Sequence, residues 1–333
     1  MRAYVQTKYG DADVMRLMEV PRPSPGPGEV LVRVRAAGLN PVDGLIRQGK
    51  MRMVVRLDLP GVAGSELAGT VEAVGPGVDD FAVGDRVFAR LDVRKPGAFA
   101  SHAVVAADLL APMPRSLDFT QAAGLPLVGL TALQALRDEL SVKEGDRVFI
   151  SGGAGGVGTI AIQLAVSMGA HVATTASPAG EELVRSLGAE TVVDYRTTRF
   201  KDVLRDYDAA LDLVGGEDLV DAFSVVKPGA TVVSIAGVPE RGAARDLAAG
   251  PLVAGLFTLI SAKTRRQAKA HGATYRYLFM HPSGADLRVL ADLVDAGQLK
   301  TVTDRVFPFE EIADAFAHLG RGRAKGKVVV EFP

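Results

Sequence analysis

A chain of 333 residues with 38 basic against 39 acidic side chains has almost no net charge, which argues against nucleic acid as a main ligand. It holds no cysteine, and its histidines at 102, 171, 271, 281 and 318 show no i, i+4 pair, so disulfides, thiolate nucleophiles and a resident metal have no support. No apolar run is long enough to cross a bilayer and no basic-then-apolar leader opens the chain, so the expectation is a cytoplasmic protein with no membrane partner.

The first hundred or so residues read as a mainly β domain with long loops. Val30–Ala36 alternates as a strand, Gly69–Gly75 is a second strand, and Pro21-Arg-Pro-Ser-Pro-Gly-Pro-Gly28 punctuates between elements. From Asp146 onward the pattern changes. Strands are predicted at Arg147–Ser151, His171–Thr175, Thr191–Asp194, Ala209–Val214, Thr231–Ala236 and Thr274–Phe279, with helices at Val157–Met168, Glu181–Leu187 and Asp218–Val226 among them. Short apolar strands separated by helices predict a parallel, doubly wound α/β sheet covered on both faces. The tail brings a helix over Asp286–Ala296, the segment Val302–Phe309, a short helix from Glu310 and a final strand, Lys327–Phe332, that is expected to return to the N-terminal domain. Gln48–Leu59 and Gly242–Thr264 read as loops.

The run Ser151-Gly-Gly-Ala-Gly-Gly-Val-Gly158 is the most informative feature. It contains Gly153-x-Gly155-x-x-Gly158, follows the strand from Arg147 and opens the helix from Val157. Such a turn binds dinucleotides: the first glycine permits the tight turn, the second lets backbone approach a pyrophosphate, and the third lets helix and strand pack closely. The helix start adds unsatisfied N–H groups and a positive dipole end. Gly153, Ala154, Gly155, Gly156, Val157 and Gly158 are therefore the first cofactor-binding candidates.

The order of a β-rich domain, a late glycine turn and a returning tail resembles the medium-chain dehydrogenase/reductase superfamily. The likeness rests on Ala36-Ala-Gly-Leu-Asn-Pro-Val-Asp43, Pro60-Gly-Val-Ala-Gly-Ser-Glu66, Gly69-Thr-Val-Glu-Ala-Val-Gly75, Gly84-Asp-Arg-Val87, Leu125-Pro-Leu-Val-Gly-Leu-Thr-Ala-Leu-Gln134 and Gly326-Lys-Val-Val-Val330. The resemblance implies a GroES-like catalytic domain over 1–120 and 283–333, a Rossmann domain over 121–282, and an active site in the cleft between them. The chain looks like the zinc-free quinone oxidoreductase and enone reductase branch. Zinc-dependent alcohol dehydrogenases of this fold use a cysteine and a Gly-His-Glu histidine, whereas this chain reads Gly64-Ser65-Glu66.

An NAD site usually carries a carboxylate at the end of the second Rossmann strand. Here that strand ends Ala173-Thr-Thr-Ala-Ser177, which leaves room for a 2′-phosphate and favours NADP(H). Thr175 and Ser177 join the cofactor-binding candidates; the resemblance implies that Ser177 and Tyr195 contact the phosphate, with Arg196 adding charge. Related reductases often place a lysine where Gly180 stands.

Reduction by a nicotinamide places negative charge on the acceptor's oxygen, which an enzyme without metal meets with hydrogen-bond donors or a proton. Asn40 reads either as that donor or as the cap of an Asn-Pro turn. Asp43 either orients a polar group or caps the next short helix. Thr131 either bonds the nicotinamide or its ribose, as in relatives, or packs on a helix. Leu45 replaces a tyrosine that several relatives carry, which suits a quinone, since its reduction restores aromaticity. Glu66 is expected to support a loop, His102 to be a satisfied strand histidine, Asp212 to organise a loop, and Lys263–Lys269 to form a solvated helix face. The leading expectation is an NADPH-dependent reductase of quinones or α,β-unsaturated carbonyls, with Asn40, Thr131 and Asp43 as catalytic candidates. The alternative is a nucleotide-binding sensor or crystallin-like protein with little turnover. Ala273–Phe279 alternates as an edge strand through which the Rossmann sheet is expected to form a homodimer.

Overall fold

The computed structural model describes residues 1–247 and 249–333. They divide into two compact units, Met1–Leu130 with Pro282–Pro333, and Thr131–His281.

The first unit is built on a seven-stranded sheet. Its main path runs Thr303–Pro308, Lys327–Glu331, Glu29–Leu39, Glu66–Val74, Arg86–Arg90 and Leu110–Pro112, and His102–Ala106 also pairs with Glu29–Leu39. Lys327–Glu331 is the returning tail strand, and it pairs antiparallel with the 36–39 end of Glu29–Leu39. Valines at 328, 329 and 330 suit a pleated surface buried on both sides, and all three are fully buried. Val30, Val32, Val34, Leu67, Val71, Phe99, Leu110 and Val328 share one core. At its margin Phe309 stacks on Phe332 at 4.1 Å and meets the edge of Tyr4 at 5.0 Å. A three-stranded sheet of Met15–Glu19, Arg2–Gln6 and Gly61–Val62, which the sequence pattern did not reveal, completes the unit's strands.

The second unit is a six-stranded, all-parallel sheet in the order Thr191–Asp194, His171–Ala176, Arg147–Ile150, Tyr207–Asp212, Val226–Ser234, Thr274–Tyr277. Numbered along the chain this is 3-2-1-4-5-6, the doubly wound order whose switch point lies beside the first strand. The glycine run leaves the carboxyl end of that strand. Phe149, from its centre, packs on Phe200 at 4.5 Å and Tyr207 at 6.3 Å. Thr274–Tyr277 is an edge, hydrogen-bonded within the described sheet only to Val226–Ser234.

Two local expectations need correction. The second helix of this unit starts at Pro178, three residues before Glu181, because Ser177 is extended and proline suits the first helical position. The stretch read as a loop over Gly242–Thr264 contains helices at Ala243–Asp246 and Pro251–Ile260 and the start of Ala262–Ala270. Pro251 opens the second of these in the same manner, and its apolar run lacks the alternation by which a surface helix is read. No helix among the described residues is long and apolar enough to cross a membrane.

Candidate active site

Strand register builds a buried polar cluster in the first unit. Val328 pairs with Leu39, so Lys327 comes beside Asn40; Ala37 pairs with Leu67 across the other edge, which brings Glu66 beside Gly38. Because Gly38 has no side chain, Glu66 reaches across the central strand. A Cβ at 38 would lie 2.3 Å from Glu66 Oε1 and 2.7 Å from the Ala123 carbonyl oxygen. Lys327 Nζ donates to Glu66 Oε1 at 2.7 Å, to the Leu39 carbonyl at 2.9 Å and to Asn40 Oδ1. Asn40 Nδ2 donates to the same Glu66 oxygen at 2.7 Å, and the Leu127 N–H donates to the other, also at 2.7 Å. Glu66 is fully buried, Asn40 is 1% exposed and Lys327 6%.

Asp43 makes two contacts with its carboxylate. Its Oδ2 accepts the Asn40 backbone N–H at 2.9 Å, capping the helix Pro41–Arg47, and its Oδ1 accepts the Ser65 hydroxyl at 2.6 Å. Burial raises its pKa above the ordinary carboxylate value, and Glu66 adds to the rise, against Arg90, the Ser65 hydrogen bond and Lys327. Burial likewise lowers the Arg90 pKa, opposed by Asp43, Glu66 and Asp92. Arg90 Nη1 donates to the Ser65 carbonyl at 2.6 Å. Two carboxylates and two cations thus share one desolvated region, the arrangement that makes buried charge tolerable.

Sequence reasoning missed Lys327 and Arg90. The signal was there: each opens or closes an apolar run, Lys327-Val-Val-Val330 and Val87-Phe-Ala-Arg90, and a buried charge demands a partner. The buried carboxylates that balance them, Glu66 for Lys327 and Asp43 with Glu66 for Arg90, lie far away in sequence, out of reach of any motif.

In the second unit the glycine run folds back on the next strand. The Gly152 N–H donates to Thr175 Oγ1 at 2.8 Å and the Gly153 N–H to the Thr175 carbonyl at 3.0 Å. A Cβ at 153 would sit 2.2 Å from Thr174 Oγ1, and one at 158 would sit 2.5 Å from the Gly152 carbonyl oxygen and 2.7 Å from Gly153 Cα. Gly155 is different, since a Cβ there meets nothing nearer than 3.3 Å. It is the N-cap of the helix Gly156–Ser167 and offers no side chain to the first turn. The amides opening that helix, with Ala154, Gly156, Val157 and Gly158 around them, form a cradle that fits a dinucleotide pyrophosphate.

Ala176 pairs in register with Asp194, so Ser177 and Tyr195 leave adjacent strand ends together. The Tyr195 ring is exposed, and the Arg196 backbone N–H donates to Asp194 Oδ1 at 3.0 Å. Gly180 lies where its Cβ would be 3.0 Å from the Ala154 methyl, so the glycine lets this helix pack on the turn. Thr131 is buried in the helix Pro126–Leu133 and is the first residue of the second unit, whereas Asn40 and Asp43 belong to the first.

Asp212 is fully buried and accepts from Ser234 Oγ at 2.6 Å, Ser151 Oγ at 3.2 Å and the Gly215 N–H at 3.0 Å, which ties together the ends of three central strands. His102 is a strand residue with Nε2 2.8 Å from Glu72 and Nδ1 3.0 Å from Ser101 Oγ; burial lowers its pKa. Leu45 is half-exposed, and Lys263–Lys269 lies in the helix Ala262–Ala270. Among the described residues no three His, Cys, Asp or Glu side chains converge as metal ligands.

A parallel 3-2-1-4-5-6 sheet with this glycine cradle, in one chain with a mainly antiparallel unit holding a buried Asn–Glu–Lys cluster, is an architecture suited to an oxidoreductase that uses a nicotinamide cofactor. Residues 26–115 match the family model for an alcohol dehydrogenase GroES-like domain, and residues 187–330 that for a zinc-binding dehydrogenase. The chain is 35% identical to the mitochondrial NAD(P)H oxidoreductase RTN4IP1 of Danio rerio, covering 99% of this chain and 91% of that protein. It is 36% identical to the chloroplastic NADPH-dependent alkenal/one oxidoreductase of Arabidopsis thaliana, covering 99% and 79%. The quinone oxidoreductase structure from Coxiella burnetii superposes with a TM-score of 0.85 at 30% identity over 99% of both chains. The chain belongs to the medium-chain dehydrogenase/reductase superfamily, in the branch of quinone oxidoreductases and enone reductases.

Proposed function

We propose that this protein is a zinc-independent, NADPH-dependent reductase of quinones or α,β-unsaturated carbonyls. The observation that carries the cofactor reading is the pair of strand ends at Ser177 and Tyr195, side by side in register and with no carboxylate at 177. Their hydroxyls, with the Arg196 guanidinium, meet the 2′-phosphate, while the amides of Gly156, Val157 and Gly158, which open the helix Gly156–Ser167, hold the pyrophosphate. Thr131 bonds the nicotinamide end. The chemistry that NADPH supplies when bound is hydride, balanced by a proton from solvent. Asn40 donates an N–H to the acceptor oxygen on which negative charge builds. Asp43 serves that residue by fixing its backbone at the start of the helix Pro41–Arg47. Zinc independence follows the donor set: the chain has no cysteine, and the Ser65 hydroxyl is committed to Asp43. Two copies pairing through the outer edge of Thr274–Tyr277 complete the reading, and size-exclusion chromatography with light scattering tests that part.

The test of the reaction is oxidation of NADPH and NADH, each with a simple quinone and a simple enone, in the presence of a chelator. Turnover confined to NADPH and undiminished by the chelator is expected. Tight NADPH binding with no turnover on either acceptor would favour the sensor-like alternative, and loss of activity with chelator would restore a metal.

A further inference from the structure

Asn40 is the only asparagine in the chain. Its carboxamide sits between two buried charges, with Oδ1 on the Lys327 ammonium and Nδ2 2.7 Å from Glu66 Oε1. Turning the amide over would set its hydrogens against the ammonium and its oxygen against the carboxylate, two repulsive contacts in a water-free region. Lys327 spends its three hydrogens on Leu39, Asn40 and Glu66, and both Glu66 oxygens accept. Among the described residues, the trio keeps one uncommitted hydrogen, the second on Asn40 Nδ2. An ammonium on the amide oxygen draws electron density from nitrogen and strengthens that N–H as a donor. A donor on a residue 1% exposed is costly unless an acceptor arrives.

We propose that Lys327 and Glu66 are positioning residues that lock and polarise the Asn40 carboxamide so that its remaining N–H meets the acceptor's oxygen. This rests on the reductase reading above. Neither residue need touch the reacting atoms; both act through Asn40, and the register that brings them there is set by Gly38 and the returning tail strand.

The test uses full-length protein with NADPH bound, labelled at asparagine with ¹⁵N, so that a single side-chain NH₂ pair is observed. In the wild type that pair is expected to be widely split and slow to exchange with solvent; an averaged, rapidly exchanging pair would overturn the locking at once, without any variant. The double variant Lys327→Met/Glu66→Gln removes both charges together, leaves no buried charge unpaired and keeps an acceptor for the Leu127 N–H. It is expected to move the Asn40 resonances toward those of a free carboxamide and to lower kcat about 100-fold, the usual cost of a misaimed transition-state donor. Its KM for NADPH should stay within about twofold, because the uniform part of cofactor binding is untouched. A folded double variant with wild-type kcat, or with unmoved resonances, would overturn the proposal. A wild type inert toward both acceptors would sink the reaction and the aim of the N–H with it, and the resonance would then decide the locking alone.

Discussion

One methyl group at position 38 should dismantle the buried cluster. In Gly38→Ala the new Cβ would lie 2.3 Å from Glu66 Oε1 and 2.7 Å from the Ala123 carbonyl oxygen, where an ordinary contact starts near 3.4 Å. Glu66 must retreat by about 1 Å, yet its Oε1 accepts Lys327 and Asn40 at 2.7 Å each, and the backbone carbonyl closes the other side. Overpacking a tight interior costs about 1–3 kcal/mol, and breaking a buried ion pair about 3–5 kcal/mol. Replacing glycine in a strand returns only about 0.5–1 kcal/mol. Strain and loss overlap, since relieving one incurs the other, so a net destabilisation of about 3 kcal/mol is expected, or roughly 6–12 °C in Tm for a unit of this size. Gly44→Ala is the internal control: a Cβ there meets nothing within 4 Å inside the helix Pro41–Arg47, so helix propensity should dominate and add up to about 1 kcal/mol. Differential scanning calorimetry of the pair reads both signs. A Gly38→Ala protein melting within about 2 °C of wild type would refute the reasoning, because it would mean that Glu66 yields without losing its partners.

The glycine cradle separates stability from binding. Gly158→Ala meets only backbone and should lower Tm, whereas Gly155→Ala should leave Tm near wild type and weaken NADPH at least about tenfold by occupying the pyrophosphate's side, with nucleotide titration and melting read together. Equal behaviour of the two variants would contradict the packing argument. Ser177→Asp puts a carboxylate at the end of the second strand and should raise KM for NADPH about tenfold or more while sparing NADH; parallel losses for both cofactors would remove Ser177 from the 2′-phosphate site. Burial raises the Asp43 pKa above 3.8, so the folded protein holds that proton more tightly than the unfolded chain does. Its contribution to stability is then greatest in acid and falls as pH climbs from that value through the raised native one. Urea denaturation at stepped pH should show Asp43→Asn gaining on wild type across that window and levelling off above it, and a flat difference throughout would indicate an unshifted carboxylate.

What was legible in the sequence was local. Arg147–Ile150, the glycine run and the helix from Gly156 follow one another without a gap, so turn chemistry and periodicity reveal the strand, cradle and helix together. The parallel strands were recognisable because burial on both faces leaves unbroken apolar runs, and right-handed crossovers between them make the sheet doubly wound; their order needed the structure. Pro178 and Pro251 extended their helices beyond the hydrophobic pattern because a proline at the first turn starts a helix without being part of its apolar face. The cluster at Asn40 was only half legible. Asn40 and Asp43 stood in a readable motif, but Glu66 joined them through a register, and Lys327 through a strand that returns from the far end of the chain. The same register explains Gly38, which passes for an unremarkable strand glycine until its neighbours on both edges are known.

In the proposed reaction hydride passes directly from NADPH to an acceptor whose oxygen these residues stabilise. Direct transfer is decided by enone reduction with NADPH carrying deuterium at the transferable position of the nicotinamide, in ordinary water, on protein shown by elemental analysis to hold no zinc. One deuterium is expected at the β-carbon of the saturated product. NADPH oxidation that leaves the product unlabelled, or turnover that appears only once zinc is added, would contradict it.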